Sequence, residues 1–212
     1  MKPTTIFFSL FLISSVVFSQ TKEIFTNPKF NDLTKGYKVL AILPFKASVK
    51  LRPKQMQSMT QEQIERLQKD EGMAVQSAME TYFLKHIDEM NISFQPLITT
   101  NAILSKNNID ESNIDKYTPS EIAALLSVDG VINGLLFTEK PMSDGASLAL
   151  GLVVGFYGRT NSGKCTINAF DGKSGELLWK YEKTLSRSLG SSTSQVINAM
   201  MRKAARKFPF VK

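Results

Sequence analysis

Cysteine, histidine and tryptophan each occur once in the 212 residues, as Cys165, His86 and Trp179. A lone cysteine forms no internal disulfide, so the fold must hold by packing alone even in an oxidising compartment. One thiol and one imidazole fall short of the ligand sets of most zinc sites. The chain has no G-x-S-x-G nucleophile elbow, no recognised nucleic-acid-binding motif and no internal repeat. Its first apolar run, residues 6–18, is shorter than the roughly 20 residues that a membrane-spanning helix takes. Disulfide scaffolds, zinc enzymes of the common types and helical membrane proteins are thereby set aside, leaving a chain long enough for one domain with its own core.

Acidic residues are also in short supply. Against 26 Lys and Arg stand 19 Asp and Glu, a formal charge of +7. The excess is spread out, with Lys35, Lys38, Lys46, Lys50, Arg52 and Lys54 near the start and Arg202, Lys203, Arg206 and Lys207 near the end. A solvated surface explains it; contact with an anionic membrane or wall surface is the alternative.

At the N-terminus Lys2 precedes the apolar run, and Ser19, Gln20 and Thr21 come after it. Charged, apolar, then small or polar is the order of a secretory signal. Phe7, Phe8, Leu10, Phe11, Leu12 and Ile13 would surround a helix rather than line one face, which argues against a buried N-terminal helix. We therefore expect residues 1–19 to be a signal peptide, 20–36 a flexible polar leader, and 37–212 a single α/β envelope domain, exported to the periplasm or to the outer-membrane surface. A lipid anchor would need a cysteine at the cleavage site.

Residues 39–45 have the length and β-branching of a buried strand. Thr60 with Gln63 forms a capping box, and Gly72 is expected to bend or interrupt the helix that this box starts. Val75, Met79, Tyr82, Phe83, Ile87 and Met90 recur at helical spacing, so this stripe is core. Residues 92–98 read as a second strand and 101–105 as a short helix. Thr118, Pro119 and Glu121 then mark a strong helix start. Residues 131–138 read as a third strand, while 146–157 is an uncharged run of undecided type. Residues 164–170 and 177–185 form a hairpin around the turn residues 171–175. A last helix carries Val196, Ile197, Met200, Met201, Ala204 and Phe208 inward until Pro209 stops it. The order predicts one three-layer α/β domain, a mixed sheet of about five strands covered by helices.

The stretch from Gly158 to Cys165 departs by one residue from the phosphate-binding pattern G-x-x-x-x-G-K-[S/T]. It offers a thiol where magnesium needs a hydroxyl, and Thr166 to Phe170 alternates as a strand rather than opening a helix. His86, on the inner edge of the long helix, reads as a core or boundary histidine with no nucleophile marked beside it. No cofactor is implied.

The segments 39–45, 118–121 with 128–134, the hairpin 170–179 and Lys207-Phe208-Pro209 together resemble the TolB N-terminal-like (CsgG–LpoB-like) superfamily of bacterial cell-envelope proteins. That resemblance implies a three-layer fold working without catalysis, by binding, assembling or activating an envelope protein complex. The relatives are lipidated and this chain lacks the cysteine. A subunit of an outer-membrane secretion pore, or a periplasmic hydrolase, are the alternative functions. The expected partners are envelope proteins or further copies in a homo-oligomer, with no nucleic acid. The expected interface residues are Leu148, Leu150, Leu152, Val153, Val154, Phe156, Tyr157 and Trp179.

Overall fold

The computed structural model describes residues 22–51, 53–57, 59–138, 162–186 and 193–211. The expected signal segment 1–19 and the apolar run 146–157 lie outside them. Seven strands form one sheet: β1 (Lys22–Thr26), β2 (Val39–Ile42), β3 (Lys46–Val49), β4 (Ser93–Phe94), β5 (Gly130–Thr138), β6 (Ser162–Asp171) and β7 (Leu177–Ser186). Their order is β1-β7-β6-β5-β2-β4, with β3 also on β5. β2, β3 and β4 join by parallel pairing, while β5, β6, β7 and β1 form an antiparallel run. The helices are α1 (Phe30–Leu33), α2 (Pro53–Gln57), α3 (Gln61–Leu84), α4 (Leu97–Lys106), α5 (Pro119–Leu126) and α6 (Thr193–Ala205).

Side chains alternate across a strand, so each strand serves two cores. On the inner face Ile42, Ile132, Leu136, Ile167, Trp179 and Tyr181 meet Val75, Met79 and Phe83 of α3 and Met200, Met201 and Ala204 of α6, all fully buried. On the outer face Ala41, Leu43 and Val131 meet Leu104 of α4 and Ile122 and Leu126 of α5. The result is the expected three-layer α/β arrangement, with two strands more than expected.

One extra strand comes from the segment read as leader. β1 pairs antiparallel with β7, Ile24 opposite Tyr181, and Phe30 of α1 is buried in the inner core. Lacking periodicity, the segment carried no strand signal, because a five-residue edge strand with both faces partly wet has none to give. The expected strand 39–45 ends at Ile42, and the second extra strand, β3, covers residues 46–49, which carried no strand reading. Between Ile42↔Ile132 and Lys46↔Leu135 the chain has three residues, Leu43 to Phe45, facing two on β5, a bulge at which Pro44 supplies no N–H. The strand expected at 92–98 shrinks to Ser93–Phe94, because α4 starts at Leu97 directly after Pro96.

Both capping boxes form. Thr60 Oγ1 accepts from the Gln63 amide at 3.2 Å and Thr118 Oγ1 from the Glu121 amide at 3.2 Å, with Gln63 and Glu121 bonding back to the cap amides. Gly72 does not interrupt α3, which runs unbroken through it. A Cβ there would lie 2.0 Å from the Phe45 carbonyl oxygen, so glycine is what lets α3 rest against the bulge.

Candidate functional site

Trp179, the one expected interface residue within the described part of the chain, is wholly buried. Its ring stacks on Tyr181 at 5.8 Å between centroids and meets Phe208 edge-on at 5.3 Å. The hairpin register turns it toward α3 and α6, so it belongs to the core and takes no part in docking. The other seven, Leu148 to Tyr157, fall outside the described residues.

Among the described residues, helices cover the outer sheet face over only part of its length. α5 shields Val131 near the start of β5, but four and six residues further along the same face the helix layer of the described residues has ended. Leu135 is 45% exposed and Phe137 43%. Their neighbours across the strands are Lys46 and Ser48 on β3, then Thr166 and Lys164 on β6, with Glu182 and Thr184 beyond on β7. An isolated exposed leucine carries no meaning, but two large apolar side chains on one uncovered sheet face mark a surface built to be covered.

Where the covered and uncovered halves meet, a groove of about 410 Å³ opens. Its floor is Val131, Asn133, Leu135 and Asn168; Tyr117, Pro119 and Ile122 form one wall, and Pro44 and Lys46 the other. The bulge makes the room. Phe45 is drawn to the inner side beneath Gly134, where a Cβ would lie 1.9 Å from the ring, and Pro44 is left at the rim. On the floor Asn168 Nδ2 donates to Asn133 Oδ1 at 3.1 Å. Each amide has more donors and acceptors than this one bond uses, so the floor can pair with polar main-chain groups.

The charges bordering the face are already satisfied. Lys46 pairs with Asp115. Lys164 reaches Glu182 at 2.5 Å, and Thr166 donates to the same carboxylate at 3.3 Å. The bond from Lys164 outweighs the effect of burial and holds the Glu182 carboxyl below its usual range. What remains for a visitor is apolar surface and amide.

The two reactive side chains singled out in the sequence do not come to this face. Cys165 is on β6 but points into the inner core, and burial pushes its thiol up to about 12, so almost none is thiolate at neutral pH. His86 is not on the inner edge of α3. The helix ends at Leu84, and His86 begins a short 3-10 turn, its Nδ1 3.0 Å from Glu89 Oε1. The residues that complete the phosphate-loop pattern, Gly163 to Cys165, are extended in β6, opposite Thr138 to Leu136 of β5. One hint of this face was present in the sequence: the polar alternation Lys164, Thr166, Asn168 announces a wet side to β6. There was none for Leu135 and Phe137, which read only as part of the third strand.

No family model and no curated protein matches the chain significantly. Among solved structures it is similar to the PelC dodecamer protein from Paraburkholderia phytofirmans, at 14% identity and a TM-score of 0.44, over 87% of this chain and 94% of that one. It is also similar to lipoprotein GNA1162 from Neisseria meningitidis, at 10% and 0.42 over 80% and 96% of the two chains. The C-terminal domain of LpoB from Salmonella enterica is a third, at 10% and 0.33 over 76% and 94%. Identity and overlap at this level assign this chain no function.

Proposed function

We propose that this is a non-enzymatic, exported cell-envelope protein that binds a partner protein through the uncovered half of its outer sheet face and so helps assemble or activate an envelope complex. The observation that carries the reading is the exposure of Leu135 and Phe137 beside an amide-floored groove on a rigid sheet. Apolar anchors set in a ring of internally paired polar groups are what a protein interface needs, because water is excluded from the centre while no unpaired charge is buried. The signal-like start and the superfamily resemblance support export and the envelope. Among the described residues no helix is long and apolar enough to cross a membrane. The buried thiol of Cys165 supports a role without catalysis.

The test replaces Leu135 and Phe137 together by serine and compares crosslinked partners in the native envelope. The wild type is expected to hold a discrete partner that the double variant loses, with the thermal midpoint of the variant lowered only slightly, since both side chains are about half exposed. If both proteins hold the same partners in the same yield, this face is not the interface.

A further inference from the structure

Beyond Trp179 and Tyr181, six further aromatic rings linked through Phe208 lie at the end of the molecule where β2 and β5 begin. Phe208 lies 4.6 Å from Phe83 and 5.2 Å from Phe210; Phe210 lies 4.9 Å from Phe30 and 6.1 Å from Tyr37; Phe94 stacks on Phe83 at 4.9 Å. The cluster ties together three stretches of the chain that are far apart in sequence, 30–37, 83–94 and 208–210, and it carries cations with it. Lys29, Lys35, Lys38, Lys85, Arg206 and Lys207 each stand within two positions of one of these rings, and all six are exposed. The carboxylates at this end are Asp32, Asp88 and Glu89, which are exposed, and Glu80, Asp129 and Asp171, which accept from the Leu97 amide, the Lys38 and Val39 amides and the Tyr37 hydroxyl.

None of the six cations shares an ion pair among the described residues. Lys85 is held over the Tyr82 ring, its Nζ 4.5 Å from the centroid. This separates the cluster from the lysines of the outer sheet face, which are paired with Asp115 and Glu182. Exposed cations therefore outnumber exposed carboxylates at this pole.

The pole is also partly apolar. Leu84, the last residue of α3, is 50% exposed beside Lys85. The Leu97 amide donates to Glu80, one turn earlier on α3, at 3.2 Å, which brings the first turn of α4 and its exposed Ile98 to the same end. Unpaired cations around protruding leucine and isoleucine suit a surface that is anionic outside and hydrocarbon beneath. A soluble polyanion would use the charges and leave the apolar groups in water.

We propose that this pole docks the protein on an anionic lipid surface, the lysines and Arg206 on the headgroups and Leu84 and Ile98 at the acyl boundary. The inference is independent of the partner-binding face. Its test is sedimentation with vesicles, using protein in the N-terminal form that its host produces. Zwitterionic vesicles are compared with vesicles of about one-third phosphatidylglycerol, at ~0.1 M and ~1 M salt, where the screening length falls from about 10 Å to about 3 Å.

Binding to the anionic vesicles at low salt and its loss at high salt are expected. Replacing Lys85, Arg206 and Lys207 by glutamine should lower partitioning roughly a hundredfold, about fivefold for each cation. Replacing Lys29, Lys35 and Lys38 by glutamine, on other elements, should do the same, so that misfolding of one variant does not decide the outcome. Leu84→Ser with Ile98→Ser should weaken vesicle binding while leaving binding to soluble polyglutamate unchanged. Equal binding to zwitterionic vesicles would overturn the proposal. So would indifference to both triple substitutions, or a serine double variant that binds vesicles as well as the wild type does, which would leave a soluble polyanion as the ligand.

Discussion

At the scale of single residues, Asp171 fastens the turn of the hairpin to the start of β2. Its carboxylate takes the Tyr37 hydroxyl on one oxygen, and the amides of Lys173 and Ser174 with the Ser174 hydroxyl on the other. Burial opposes ionisation of Asp171, but these bonds together prevail and hold its carboxyl below the usual range. Burial, reinforced by the same partner, pushes the Tyr37 hydroxyl above the ordinary phenol value. A depressed carboxyl contributes stability that is full above its unfolded value of about 4 and fades as pH falls through the folded one. Asp171→Asn is therefore expected to cost about 2 kcal/mol at neutral pH and to flatten the acid limb of stability below about pH 4. Urea midpoints from neutral to strongly acid pH check this, and an acid limb as steep as that of the wild type would refute it. The sequence showed Asp171 to Gly175 as turn residues; nothing in it pointed to Tyr37, which lies 134 positions away from Asp171.

At the scale of elements, legibility tracked periodicity. The long α3, with its box at Thr60 and its stripe of Val75, Met79 and Phe83, and α5, with its box at Thr118, were readable because local hydrogen bonds and a 3.6-residue repeat fix them. β1 and α1 were not, since both are short and owe their form to what they pack against. The buried ring of Phe30, in contact with Phe210, is what makes the segment part of the fold. Phe30→Ala should destabilise the protein by about 3–5 kcal/mol, whereas a flexible leader would lose nothing. Thermal and urea unfolding measure the difference, and a shift within error would return residues 22–36 to the status of a tether. The break between β2 and β3 was invisible for a related reason. Pro44 lies inside the run read as one strand closing at Phe45, yet β5 pairs on both sides of it, and only the partner strand reveals the bulge.

At the scale of the whole molecule, the fold was legible as three layers, whereas the candidate site was not, because coverage of a sheet face is a property of helix placement and no single segment encodes it. α5 ends at Leu126 and shields only the beginning of β5, which leaves Leu135 and Phe137 bare. The cationic pole gathers where β2 and β5 begin, since Lys38 directly precedes β2 and its amide is held by Asp129, the residue before Gly130. From Gly130 to Phe137 is seven residues of extended chain, roughly 24 Å along one rigid strand. Groups that far apart with no shared partner act independently. Serine at Leu135 and Phe137 should therefore abolish partner recovery and leave anionic-vesicle binding unchanged, while glutamine at Lys85, Arg206 and Lys207 should do the reverse. Combining all five substitutions should lose both properties with the two effects simply added. Vesicle sedimentation and envelope crosslinking on the same four proteins measure this. If either set of substitutions impairs both readouts, the two surfaces are one, and the protein would meet its partner only by way of the membrane.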